Sequence, residues 1–207
     1  MQLTYAQLED FFAEVHKVAP EKRIALKGRL KHFQRLGWPL GTNLGKGARV
    51  QYGLGQTLSL AIGMEMLQLG LTPEKVRDQM RYAHYIADGF LSAFKNRGSE
   101  ADQVLYIFSP ESLYSLRGDV EEQQGIQSLL IAQSKMSDLY RIRPFFGQPR
   151  YAVINISALM EIAFAYFTEN NLANEEEISS ALTNWKLVSK KQARSAGWIV
   201  SDDDGDT

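Results

Sequence analysis

Six long cations fall within fourteen positions of this chain: Lys22, Arg23, Lys27, Arg29, Lys31 and Arg35. Side chains of this kind at such density do not make or break bonds. They neutralise phosphate or carboxylate, and a guanidinium also reads the acceptor edge of guanine. Lys46 and Arg49 come next, in a glycine-punctuated stretch, GTNLGKGARVQYG at residues 41–53. From Lys17 to Arg49, nine cations face a single carboxylate, Glu21, which gives about +8 in a chain of net charge −1. The remainder therefore carries about −9, including Asp202, Asp203, Asp204 and Asp206. A basic block inside an acidic chain points to a polyanion partner on one face.

Other chemistries find less support. A phosphate-binding loop needs four residues between its glycines, then Lys and Ser or Thr. Here three residues separate Gly41 from Gly45, and Gly47 follows Lys46. Gly53-Leu-Gly55 is too short for a dinucleotide fingerprint. His16, His32 and His84 lie far apart, and the chain has no cysteine, so neither a thiolate metal site nor a thiol nucleophile exists. Asn155-Ile-Ser157 matches a glycosylation sequon but sits in an apolar stretch. Glu121 and Glu122 are neighbours on a polar segment, which usually turns both to solvent. Of the aromatics Tyr106, Phe108, Tyr114, Tyr140, Phe145, Phe146 and Tyr151, most are read as core, with a lined ligand pocket as the alternative. Arg141, Arg143 and Arg150 are read as loop residues. No catalytic grouping and no cofactor are expected.

The elements that must position the cations are set by periodicity. Leu8, Phe11, Phe12 and Val15 predict a helix over 3–15, capped by Thr4. Pro20 opens a second helix, 20–36, with Ile24, Leu26, Leu30, Phe33 and Leu36 as its apolar stripe. The glycine-flanked residues 49–52 predict a small β-hairpin carrying Lys46 and Arg49. A third helix, 56–69, is apolar nearly all round and belongs at the centre. Thr72-Pro73-Glu74 supplies a cap, a first-turn proline and a dipole-matched acid for a helix over 73–94. Its Val76, Met80, Ala83, Ala87, Phe90 and Phe94 form a heptad-like stripe, for this chain's own core or for a homodimer. Residues 96–102 are polar and mark a boundary. Beyond them come strands at 104–108 and 151–156, a partly helical 126–140, and helices at 157–167 and 175–194. The fold class expected is α+β: a mainly helical winged-helix domain at 1–95, a small mixed α/β domain at 103–200 for regulation or dimerisation, and a disordered acidic tail at 201–207.

Apolar residues make up 44% and charged residues 23%, the balance of an ordinary soluble chain. The start, MQLTYAQLEDFF, lacks the basic and apolar regions of a signal peptide, and no apolar run approaches the ~20 residues of a membrane span. A cytoplasmic protein without membrane contact is expected.

The stretch from Arg49-Val-Gln-Tyr52 through Leu58 to the turn Leu69-Gly-Leu-Thr-Pro-Glu74 resembles the wing and subsequent helices of MerR-type transcriptional regulators. The likeness covers residues 45–76. It implies a winged-helix fold in which the wing arginine and tyrosine, here Arg49 and Tyr52, touch phosphates. That family opens on a compact helix-turn-helix ending in Arg-Tyr-Tyr. This chain instead offers the long basic helix 20–36, and it lacks the cysteines of metal-sensing members. The resemblance and the charge block together lead us to expect a homodimeric, sequence-specific double-stranded DNA-binding regulator that also contacts transcription machinery. Lys22, Arg23, Lys27, Arg29, Lys31, Arg35, Lys46, Arg49 and Tyr52 would be its DNA contacts. An RNA-binding module and a protein–protein adaptor are the alternatives.

Overall fold

The computed structural model describes residues 1–42, 50–81, 84–98, 102–110, 128–141 and 150–195. It is an α+β fold. Strand β1 (Gln2–Thr4) leads directly into α1 (Tyr5–Val15). Thr4 starts the helix through a capping box: its hydroxyl accepts from the Gln7 backbone N–H at 3.3 Å, and Gln7 Oε1 accepts from the Thr4 N–H at 2.9 Å. Leu3 therefore belongs to a strand rather than to the helix predicted over 3–15. A turn with Lys17 at φ 48° and a 3-10 stretch, Pro20–Lys22, joins α1 to α2 (Arg23–Arg35).

Strand β2 (Gln51–Gly53) pairs antiparallel with β1, setting Leu3 opposite Tyr52. Of residues 49–52, expected in a local hairpin, 50–52 are described, and 51 and 52 pair with the start of the chain. Lys46 and Arg49 lie outside the described residues. From β2 the chain enters α3 (Leu54–Gln68), where Leu58, Ala61, Ile62, Met64 and Met66 are all buried, as an all-apolar helix requires. Two glycines let aromatic side chains close on it. A Cβ on Gly55 would stand 2.6 Å from the Trp185 indole, and one on Gly63 2.7 Å from Trp38. Gly55 of the Gly53-Leu-Gly55 stretch thus has a packing explanation. Gly70, at φ +91°, turns the chain out of the helix.

The single helix predicted over 73–94 is two helices, α4 (Pro73–Arg81) and α5 (Ile86–Lys95). Val76, Ala87, Phe90 and Phe94 are buried within the chain and Met80 packs against the same core; Ala83 lies outside the described residues. That stripe serves this chain's own interior and is not left free for a second copy.

Past 96–102, β3 (Val104–Phe108) is the middle strand of an antiparallel sheet, between β4 (Ser128–Ala132) and β5 (Ala152–Asn155). Tyr106, Ile107 and Phe108 are fully buried, as a central strand covered on both faces demands. A 3-10 segment, Gln133–Arg141, comes after β4, so the described part of 126–140, expected to be partly helical, is a strand and then a 3-10 helix. Helices α6 (Ile156–Glu169) and α7 (Glu175–Ser195) complete the described chain. Asn155 caps α6 by accepting from the Ala158 N–H at 3.0 Å and donates to Gln103 Oε1 at 2.6 Å. Its amide is therefore committed to the fold.

One buried cluster unites elements from both sides of 96–102. It runs from Leu3 and Phe11 through α3 and Phe90 to Tyr166, Phe167 and Leu182. The Phe11 ring lies 5.1 Å from Tyr166 and 5.3 Å from Phe167. Truncating such a ring typically costs about 3–5 kcal/mol. Salt bridges Asp88–Lys186 (3.1 Å) and Glu175–Arg97 (2.7 Å) fix α7 antiparallel to α5. The Arg97 guanidinium also lies 4.0 Å from the centre of the Phe94 ring and 3.9 Å from that of Phe164. Residues 1–95 and 103–200, expected as separate units, share this core through their described parts. Among the described residues, no helix is long and apolar enough to cross a membrane.

Candidate nucleic-acid interface

Helix α2 buries Leu26, Leu30 and Phe33 against the core. Ile24, expected with them, is 81% exposed. With about 100° per residue, Ile24 points away from the other three and shares the outer face with Gly28, Lys31 and Arg35. The cations do not form one patch. Arg29 and Lys31 are two residues apart and so project roughly 160° from each other.

They fall into three groups. The first faces α1: Arg23 meets Asp10 at 2.5 Å, and Lys27 meets Glu9 at 3.2 Å. Glu9 is only 7% exposed, so Lys27 neutralises a carboxylate the fold has largely withdrawn from water. The second group, Lys22 and Arg29, edges a cavity of about 510 Å³ floored by Leu26, Met64 and Leu67. Arg29 also donates to the Ala25 carbonyl at 3.3 Å. The third group is Lys31 and Arg35, exposed, one helical turn apart and roughly 40° around the axis from each other. Neither makes an ion pair among the described residues.

His32, between the second and third groups, meets Glu74 at 3.0 Å. Hydrogen bonds from the Glu74 backbone N–H and the Thr72 hydroxyl hold the Glu74 carboxyl below its ordinary value, and the His32 charge adds to this. Arg23 and Lys27 are thus structural partners of α1 rather than free contacts. Sequence reasoning missed Asp10 and Glu9 as their counter-charges, and Glu74 as the partner of His32. The signal was present, since Glu9-Asp10 closes the second turn of α1 and α2 packs back on that helix.

Tyr52 requires the plainest correction. It is 1% exposed, and its hydroxyl accepts from the Gln34 side-chain amide. Burial raises its phenol above the ordinary range. A β-strand alternates its faces, so Gln51 turns out and Tyr52 turns in opposite Leu3. Tyr52 is a core residue that ties α2 to β2, and it cannot touch a phosphate in this arrangement. The chain gave no match to any family model, curated protein or solved structure. The residues themselves carry the functional reading.

Two further polar groupings stand apart from α2's outer face. His16 Nδ1 lies 3.6 Å from Glu65 and 3.3 Å from the Gln68 amide, at the rim of the second group's cavity. Burial lowers the His16 pKa and raises that of Glu65. In the sheet half, Gln79 donates to the Tyr106 hydroxyl at 2.7 Å, and the Tyr85 hydroxyl bonds Ser128. Burial raises both phenols. These are satisfied hydroxyls of the packed interior. Tyr106 and Phe108 are core, as read from sequence, whereas Tyr151 is 41% exposed. Tyr114, Phe145, Phe146, Glu121, Glu122 and Arg143 lie outside the described residues, as do the side chains of Tyr140 and Arg141. Arg150 donates to the Pro110 carbonyl at 3.3 Å.

Proposed function

We propose that the chain is a sequence-specific double-stranded DNA-binding transcriptional regulator whose recognition element is the outer face of α2. The observation that carries this reading is the pair Lys31 and Arg35, exposed and without counter-charge among the described residues, on a helix whose other described cations largely have intramolecular work. Gly28 and the exposed Ile24 keep that face low and partly apolar, which suits close approach to base edges and thymine methyl groups. Long cations set position on phosphates, and Arg35 can read guanine. The order strand, helix, helix, second strand paired to the first, then two further helices is compatible with a winged helix; Lys46 and Arg49 fall in the sequence between α2 and β2. Both count as backbone contacts in this proposal. A homodimer remains part of the proposal, but on a surface other than the buried stripe of α4 and α5.

Four phosphate contacts by Lys31, Arg35, Lys46 and Arg49 would make affinity fall about 100-fold between 50 and 200 mM salt. The test is duplex binding by the full chain across that range, followed by selection from random duplexes and competition with double-stranded RNA. A steep salt slope with an enriched motif is the expected result. Binding that is independent of salt, or RNA that competes as well as DNA, overturns the proposal.

A further inference from the structure

Helices α2 and α3 each turn one face to the cavity of about 510 Å³. From α2 and the 3-10 stretch before it come Lys22, Ala25, Leu26 and Arg29, at the i, i+3, i+4, i+7 spacing of a single helix face. The end of α3 contributes Met64, Leu67 and Gln68, again three and four apart. Val18 and Ala19, in the connection between α1 and α2, line the same space.

The chemistry of this lining is one-sided. Leu26 and Met64 are buried, Leu67 and Val18 are half-buried, and Ala19 and Ala25 are exposed, so an apolar surface is left partly wetted. Lys22 and Arg29 are exposed, and neither makes an ion pair among the described residues. Arg29 Nη1 donates to the Ala25 carbonyl at 3.3 Å, which leaves further guanidinium N–H groups for a partner. No carboxylate is among the lining residues. Glu65 is not one of them; it accepts from the Gln68 amide at 3.2 Å and lies 3.6 Å from His16. A volume of about 510 Å³ falls within the range of about 300–1,000 Å³ that holds small molecules, and such sites are mostly apolar with a few placed polar groups.

We propose that this cavity binds a small amphipathic carboxylate, an aliphatic acid of medium length whose hydrocarbon body lies on Leu26, Met64 and Leu67 and whose carboxylate meets Arg29 and Lys22. A guanidinium takes a carboxylate through two parallel N–H···O bonds, and an ammonium adds a point charge beside it. The apolar body supplies the larger share of the affinity, since each methylene withdrawn from water is worth about fourfold. The cations supply selectivity for an acid over the matching alcohol. The site stands independently of the DNA reading: Lys31, on the outer face of α2, projects roughly 160° from Arg29.

The test is calorimetric titration of the full chain at low salt with octanoate, hexanoate, acetate and octan-1-ol, with the methyl signals of Leu26, Met64 and Leu67 followed by NMR. Octanoate should bind saturably, shift those methyl signals, and bind about tenfold more tightly than hexanoate, which is two methylenes shorter. Acetate, which lacks the body, and octan-1-ol, which lacks the charge, should each bind at least about tenfold more weakly than octanoate. Lys22→Gln with Arg29→Gln should weaken octanoate about tenfold and leave octan-1-ol unaltered. Both side chains are exposed, so the melting temperature should hold. Ala25→Phe, which adds a ring to the lining from an exposed position, should abolish octanoate binding in a chain whose circular dichroism is unchanged. No saturable binding of octanoate overturns the proposal. So does octan-1-ol or acetate binding as tightly as octanoate, or full octanoate affinity in the Gln double variant.

Discussion

Two pairs of cations on α2 differ in almost everything but residue type. Arg23 and Lys27 turn toward α1, where Asp10 and the buried Glu9 receive them. Lys31 and Arg35 sit one and two turns later, face outward, and meet no carboxylate among the described residues. A lysine over a buried carboxylate is held in place by the cost of leaving that charge alone. A lysine in open solvent has no such obligation and is available to a partner. What the contrast teaches is that a basic count overstates a basic surface: the useful charge is what remains after the fold has taken its share.

The contrast can be broken most directly by charge reversal. Lys31→Glu with Arg35→Glu is expected to lower duplex affinity at least 100-fold at low salt while leaving the melting temperature within a degree or two, since neither side chain supports the core. Loss of folding in that double variant, read by circular dichroism, would show that the outer pair is structural after all. The reverse pattern is expected for Lys27→Ala. Leaving Glu9 buried without its partner should cost about 1–3 kcal/mol. In a chain of this size each kcal/mol lowers Tm by about 2–4 °C. Duplex affinity of the folded protein should change less than threefold. Adding Glu9→Gln to Lys27→Ala should recover most of the stability, which thermal melts of the single and double variants measure as a coupling energy.

Smaller effects sharpen the same comparison. Arg23 and Asp10 are both partly exposed, and an ion pair of that kind contributes about 0–1 kcal/mol, so Asp10→Asn should barely move the denaturation midpoint. The smallest expected effect is that of pH. Burial lowers the His16 pKa, so as pH falls below about 6.5 the unfolded chain takes up a proton first and stability drops. Burial raises the Glu65 pKa, so over the window just above the ordinary Glu value the folded chain takes up a proton first and stability rises as pH falls. The two oppose each other. In His16→Gln only the Glu65 contribution remains, and melts between pH 7 and 5 should show a gain on acidification relative to the parent chain.

Much of the architecture was legible in the residues. Periodicity found α3 and α7 to within about two residues, because Leu58, Ile62 and Met66, or Leu182 and Trp185, recur where burial demands them. Thr4 and Thr72 announced their helices because capping is local chemistry. The failures share one cause, which is long-range pairing. Tyr52 reads as a wing residue until β2 pairs with residues 2–4 and the alternation turns it inward. Ile24 reads as core by type, but Leu26, Leu30 and Phe33 fix which side of α2 is buried. The residues 73–94 keep a helical stripe across 82–83, so nothing local announced the division into α4 and α5. The candidate site was half legible for the same reason. Which cations exist is written in the sequence, and which are neutralised depends on Glu9 and Asp10 arriving from another helix.

The two notches in α3 reach beyond packing. A helical glycine is ordinarily the first place an engineer looks, because alanine in a helix interior is worth roughly 0.5–1 kcal/mol in backbone entropy. At Gly55 and Gly63 that improvement is closed, since a methyl would displace the Trp185 or Trp38 ring and with it the seating of α7 or of the turn after α2. Hardening this protein against heat must therefore begin elsewhere, for instance at Gly28, where a methyl would meet nothing within 4 Å. That position lies on the very face offered to a partner, so any gain in robustness there would come at the expense of recognition.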